Sequence, residues 1–208
     1  VIGVGIKIND GETSWFTGDQ VREEFNRIDW KNSALLCHNT QFDGGILSFR
    51  YGVIPSLYLD TLSMARAING VDAGGSLAYL VEKYELGAKG TEVVDAKGKR
   101  LEDFNEADLL RYGGYCINDV ELTYKLFQVL VPNFPEEEIK LIDMTLRMYT
   151  EPTLEVDDAL LQARLEEVQK EKQQLLQGLM AKLECQTEED VRAKLASNKQ
   201  FAELLIEL

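Results

Sequence analysis

From Ile2 to Ile8 an apolar residue falls at every second position, with Gly3, Gly5 and Lys7 between them. A period of two matches a strand, whose side chains alternate between faces, and it commits the beginning of the chain to a half-buried β-strand. Asn9-Asp10-Gly11 is a tight-turn sequence, so Thr13–Phe16 returns as the second arm of a hairpin. The period then changes. Residues 19–28 read as a short helix, Ala34–His38 as a compact buried strand, and Phe42–Tyr51 as a helix. Leu57–Leu59 reads as a short strand, Thr61–Ile68 as a helix capped by Asp60, and Leu77–Tyr84 as a further helix. Strands alternating with helices in this way predict an α/β domain with a mixed sheet flanked by helices.

Residues 85–104 break the pattern with Gly87, Gly90, Gly98 and several lysines, and read as a loop or small hairpin. Asn105 with Asp108 resembles a capping pair that opens a long helix towards Val131, which Pro132 and Pro135 end. Beyond Pro135 the pattern is helical only: Ile139–Tyr149, then a long helix capped by Asp157 or Asp158 with Leu161, Leu165, Val168 and Leu175 along it. Residues 1–134 are therefore expected to form the α/β domain and residues 135–208 an all-helical C-terminal segment.

The hydrophobic share of 45% suits a globular chain rather than a disordered one. No apolar run approaches the roughly 20 residues that span a bilayer, so no membrane partner is expected. Cys37, Cys116 and Cys185 have neither metal-ligand nor redox spacing, which points to a reducing, cytoplasmic setting. A net charge of −14 argues against an independent duplex-binding module, because phosphate contact leaves a basic footprint. It argues less against a nuclease that grips a strand end through bound cations. The chain opens at Val1 already inside a strand pattern, and reads as a piece of something longer.

Two segments carry chemistry. Asn39-Thr40-Gln41-Phe42-Asp43 lies where an apolar strand gives way to a helix, the edge at which open α/β sheets place ligands. Asp43 offers a hard oxygen ligand from the first helical turn, with the Asn39 amide beside it; ordinary capping explains the same residues equally well. Tyr115-Cys116-Ile117-Asn118-Asp119 lies within the long helix, and Tyr115 and Asp119 share a face with their β-carbons about 5–6 Å apart. A carboxylate there can hold a metal while the phenol orients a water. An amphipathic helix with Tyr115 in the core also accounts for the pair. Gly113-Gly114 costs about 1 kcal/mol per residue in a helix interior, so either a packed neighbour or a bound strand approaches the backbone there.

Taken together, the two segments resemble the DEDD exonuclease superfamily, whose second motif reads Asn-x-x-Phe/Tyr-Asp and whose third reads Tyr-x-x-x-Asp. Asn39 to Asp43 and Tyr115 to Asp119 match in order and context. The resemblance implies an RNase H-like (DnaQ-like) fold and two-metal hydrolysis, with Mg²⁺ or Mn²⁺, that releases nucleotides from the 3′ end of single-stranded DNA. It implies Asp43 and Asp119 as metal ligands, Asp43, Tyr115 and Asp119 as the catalytic set with Tyr115 positioning the nucleophile, and Asn39 and Phe42 as substrate contacts, a buried core role being the alternative for Phe42. Gly114 stands where the histidine branch needs His, which leaves the tyrosine branch; His38 is expected to be a strand-end residue.

A closer likeness is to the proofreading domain of family A, polymerase I-type DNA polymerases, over residues 1–134 through Leu59-Asp60-Thr61-Leu62 and Ser76-Leu77. Leu154-Glu155-Val156-Asp157 and Asn198–Leu205 resemble the beginning of the polymerase domain and its thumb, which makes the rest of a polymerase chain an expected partner. Pro152-Thr153 departs from the glycine turn of many relatives. An exoribonuclease of the RNase D kind, or an exonuclease-like domain kept only for structure, are the alternatives.

The superfamily's first motif, Asp-x-Glu at the end of the first strand, has a decoy in Asp10-Gly11-Glu12. The hairpin explains those residues better, and Asp10 lies too near Asp43 for the elements that separate the motifs. On that alignment the first motif precedes Val1, the metal site in this chain is incomplete, and the chain by itself is nearly inactive. Lys89, Lys97, Lys99 and Arg100 form a small basic loop, expected to be solvated rather than to hold phosphates.

Overall fold

The computed structural model describes residues 1–90 and 98–207. The hairpin forms from β1 (Gly3–Ile6) and β2 (Ser14–Thr17), antiparallel with Val4 opposite Phe16. Its turn is closed by the Gly11 amide donating to the Ile8 carbonyl at 3.0 Å. The left-handed residue of that turn is Asn9, at φ 50°, rather than Gly11; asparagine tolerates this region better than most side chains. After α1 (Gln20–Arg27), β3 (Ala34–Cys37) runs into α2 (Thr40–Ile46), which continues as a π turn over Leu47–Tyr51 and stops at Gly52, φ 70°. β4 (Leu57–Asp60) lies parallel to β3, with Cys37 opposite Asp60. α3 (Thr61–Asn69), α4 (Leu77–Lys83) and the long α5 (Glu106–Leu130) follow.

The architecture is mixed α/β, but the strands do not merge into the one sheet expected. Among the described residues β1 pairs only with β2, and β3 only with β4. Each ladder is specified by a local connection, a tight turn in one case and the α2 crossover in the other. No such connection specifies a pairing of β1 with β3. Both ladders nevertheless rest on one helix, since α5 packs against β1, β2 and β3.

Two apolar clusters support this frame. Val21 and Phe25 of α1 are buried with Leu47 and Val53 against the hairpin, and Phe16, Trp30 and Leu35 pack against them. Met64, Leu80, Val81, Leu122, Leu126 and Leu130 join α3, α4 and α5. Gly113 lets α5 approach the hairpin, because a Cβ there would lie 2.8 Å from the Trp15 ring, whereas a Cβ on Gly114 meets nothing within 4 Å. The packed neighbour therefore accounts for one of the paired glycines and not the other.

α6 (Glu136–Thr150) starts directly after Pro135, three residues before the expected Ile139. Glu136, Glu137 and Glu138 occupy its first turn, where negative charge complements the helix dipole. The helix belongs to the first of two compact units, Val1–Thr153. Asp143 Oδ1 accepts from the Tyr58 amide of β4 at 2.8 Å. Arg147 donates to the carbonyls of Pro55 and Ser56 at 3.1 and 2.9 Å, and pairs with Asp143 and Glu151. The second unit, Leu154–Leu208, contains α7 (Asp158–Lys182), α8 (Glu188–Ala196) and α9 (Asn198–Glu207). Asp157, not Asp158, caps α7, accepting from the Leu160 amide at 2.9 Å. Among the described residues no helix is long and apolar enough to cross a membrane.

Candidate active site

Asn39 sits between β3 and α2 in the left-handed conformation, φ 69°, and its side chain makes no capping bond. Capping is done instead from the neighbouring strand. Asp60, only 4% exposed, accepts through Oδ1 from the amides of Asn39 at 2.8 Å, and of Thr40 and Leu62 at 3.2 Å. Its Oδ2 accepts from the amide and hydroxyl of Ser63 at 3.2 and 2.6 Å. One carboxylate therefore serves the beginnings of both α2 and α3, and the second of those roles alone was legible from the sequence. Thr40 is fully buried and donates its hydroxyl to the Leu59 carbonyl at 2.6 Å. This clamp fixes the turn that carries Asn39, Phe42 and Asp43.

Asn39 and Phe42 face solvent, Phe42 at 66% exposure, so both can meet a ligand. Asp43 is half-buried, and that burial pushes its carboxyl up to about 6, with its own backbone amide opposing and Asp60 adding to the rise. His38, just before Asn39, is tethered at both ring nitrogens: Nε2 to the Gly75 carbonyl and Nδ1 to the Thr61 hydroxyl, each at 2.9 Å. A carbonyl only accepts, so Nε2 carries the proton and Nδ1 is the acceptor. Burial lowers the His38 pKa, keeping the ring neutral and structural.

On α5, Tyr115 is buried and stacks on Tyr112, ring centroids 5.9 Å apart. Burial, assisted by the Asp119 carboxylate, raises the Tyr115 phenol far above its ordinary value, so it stays protonated and can orient a water without acting as a base. The Cys116 thiol is pushed to about 11 by burial and by Asp119, which leaves it unreactive. Lys89 reaches this face from the loop after α4. Its ammonium donates to Tyr115 Oη at 2.7 Å and to Asp119 Oδ2. The other Asp119 oxygen, Oδ1, is buried with no partner.

The two segments converge in part. α5 packs against β3, and His38 at the end of that strand lies within electrostatic reach of Asp60, Lys89 and Asp119. No hydrogen bond or ion pair joins Asp43 to Tyr115 or Asp119 among the described residues, and no three His, Cys, Asp or Glu side chains there form a metal-holding group. Asp10 lies in the hairpin turn and accepts from Tyr124 Oη at 2.7 Å; Glu12 is exposed. Of the basic loop, Lys89 belongs to the site instead of to solvent, and Lys97 lies outside the described residues. Lys99 rests over the Phe104 ring and Arg100 pairs with Glu102 at 3.9 Å.

A family model described as 3′–5′ exonuclease matches residues 18–134, which include Asn39–Asp43, Asp60, Lys89 and Tyr115–Asp119. No curated protein and no solved structure matches the chain.

Proposed function

We infer the reaction of this chain from the 3′–5′ exonuclease family to which it belongs: hydrolysis of the 3′-terminal phosphodiester of single-stranded DNA, as the proofreading domain of a family A DNA polymerase. The observation that carries the reading is Asp119, a carboxylate with one buried, unpartnered oxygen beside a protonated tyrosine. A buried acceptor left unsatisfied costs about 1–3 kcal/mol, and a cation relieves that cost. The Lys89 ammonium on the other oxygen shows that the position tolerates positive charge. Asp43, whose charge is disfavoured by burial, would likewise be relieved by a cation.

The residues thus fit a divalent metal, Mg²⁺ or Mn²⁺, with Asp43 and Asp119 as the ligands this chain supplies. Two such ions, when bound, supply Lewis-acid activation of a water and stabilisation of the leaving 3′ oxygen. Tyr115 Oη orients the attacking water. Asn39 and Phe42, exposed beside Asp43, contact the terminal nucleotide, Phe42 by stacking on a base.

An RNase H-like sheet is supported by the single helix α5 underlying both ladders, with one edge each of β1 and β3 lacking a strand partner among the described residues. A strand ending in Asp-x-Glu between those edges would complete both the sheet and the metal site. Residues 135–208 are proposed as the helical beginning of a polymerase domain, in keeping with helices being the regular elements there among the described residues.

The test is digestion of a 5′-labelled single-stranded DNA and its RNA counterpart by the intact natural protein and by this 208-residue chain. The intact protein should release mononucleotides from the DNA 3′ end in a Mg²⁺-dependent way, lost in Asp43→Asn and Asp119→Asn. The 208-residue chain should be nearly inactive. Brisk Mg²⁺-dependent digestion by it would revive Asp10 and Glu12 as ligands, and preference for RNA would favour the RNase D kind.

A further inference from the structure

Lys89 is delivered to α5 by a built turn. The chain leaving α4 passes through Gly87 at φ 139°, a conformation side chains rarely adopt, where a Cβ would press on Leu122. Asn118 of α5 then donates Nδ2 to the Ala88 carbonyl at 3.1 Å, fixing the backbone one residue before Lys89. The Lys89 ammonium sits 4.7 Å from the centroid of the Tyr115 ring, bonded to the phenol oxygen and to Asp119 Oδ2. Lys89 and Asp119 are 20% and 24% exposed, so the pair is shielded from solvent more than an ordinary surface ion pair.

We propose that Lys89 is an internal cation that competes with a divalent metal ion for Asp119 and holds Tyr115 until the metal displaces it. The inference rests on Asp119 being a metal ligand, as read above. Two features set this contact apart from a structural salt bridge. The ammonium takes one carboxylate oxygen and leaves the other buried without a hydrogen-bond partner, so the carboxylate is only half satisfied as an acceptor. It also takes the phenol oxygen, so the two residues assigned to the metal and the water are occupied by one group. A metal ion that binds Asp119 would compete with the ammonium, and release of Lys89 would free Tyr115 Oη to accept a hydrogen bond from a water. Among the described residues of the basic loop, Lys99 lies over the Phe104 ring and Arg100 pairs with Glu102, while burial keeps the nearby His38 neutral. Lys89 is then a positioning residue that sets how tightly the site takes up metal.

The test is Mn²⁺ binding to the 208-residue chain, read by the loss of the free-ion electron paramagnetic resonance signal, with folding checked by circular dichroism. Lys89→Met and Lys89→Gln should bind Mn²⁺ on the order of tenfold tighter than the parent, because the competing charge is gone. Lys89→Arg, which keeps the charge, should bind like the parent. Asp119→Asn added to Lys89→Met should abolish the gain. Should Lys89→Met fail to fold, Lys89→Gln decides. Equal, weaker or undetectable binding in the folded neutral variants overturns the competition. If their binding is tight but indifferent to Asp119→Asn, it is the assignment of Asp119 as a ligand that fails, and the inference falls with it.

Discussion

Removing the Asp60 carboxylate should disable the turn that carries Asn39 and Asp43 before it touches any ligand. Asp60 accepts five hydrogen bonds, four from backbone amides and one from the Ser63 hydroxyl, at 2.6 to 3.2 Å and with only 4% exposure. In Asp60→Ala both α2 and α3 lose their cap, at about 1 kcal/mol each. The Thr40 amide is left without its acceptor in a residue that is fully buried, which costs about 1–3 kcal/mol more. The total is on the order of 3–5 kcal/mol, a large share of a domain's stability. Asp60→Asn is the sharper probe. Its amide retains one acceptor oxygen, and in either orientation the NH₂ group faces backbone or hydroxyl donors, costing about 2 kcal/mol with no change in volume. Urea unfolding in EDTA, followed by the fluorescence of Trp15 and Trp30, both within the first compact unit, measures each loss. A loss below about 1 kcal/mol in Asp60→Ala, or an unchanged Asp60→Asn, would refute the double-cap reasoning.

Because burial raises the Asp43 carboxyl from 3.8 to about 6, the folded metal-free protein holds a proton there that the unfolded chain has lost. Stability in EDTA should therefore fall as pH rises from about 4 to about 6, by about 2 kcal/mol after allowance for partial exposure. Asp43→Asn should remove this fall and be the more stable protein at pH 7; equal slopes in the two proteins would disprove the assignment. Gly114→Ala should raise stability by about 1 kcal/mol, since nothing meets the added Cβ, whereas Gly113→Ala should lower it by forcing Trp15 from α5; thermal unfolding separates the two. Arg147→Lys should cost about 1–2 kcal/mol, because an ammonium cannot reproduce the fork that serves Asp143, Glu151 and two carbonyls. Chemical denaturation checks this last value, and a neutral result would show that α6 is held by its apolar contacts alone.

The sequence by itself settled what local rules control. Period-two apolar residues and Asn9-Asp10-Gly11 specified the hairpin, Asp60 and Asn105 marked helix starts, and the motif residues from Asn39 to Asp43 and from Tyr115 to Asp119 pointed to the family. These signals are short-range, so they survive without knowledge of the rest of the chain. What only the tertiary structure decided depends on residues far apart in sequence. Asp60 read as the cap of one helix, yet the parallel register that sets it opposite Cys37 also aims it at the amides of Asn39 and Thr40. Lys89 read as one of several basic loop residues until the turn at Gly87 and the Asn118 bond placed its ammonium on Tyr115 and Asp119. The glycine pair read as one close approach, and only the packing of Trp15 distinguished Gly113 from Gly114. The division of the strands into two ladders also lay beyond the sequence, because strand pairing across a long interval leaves no periodic trace in the residues that form it.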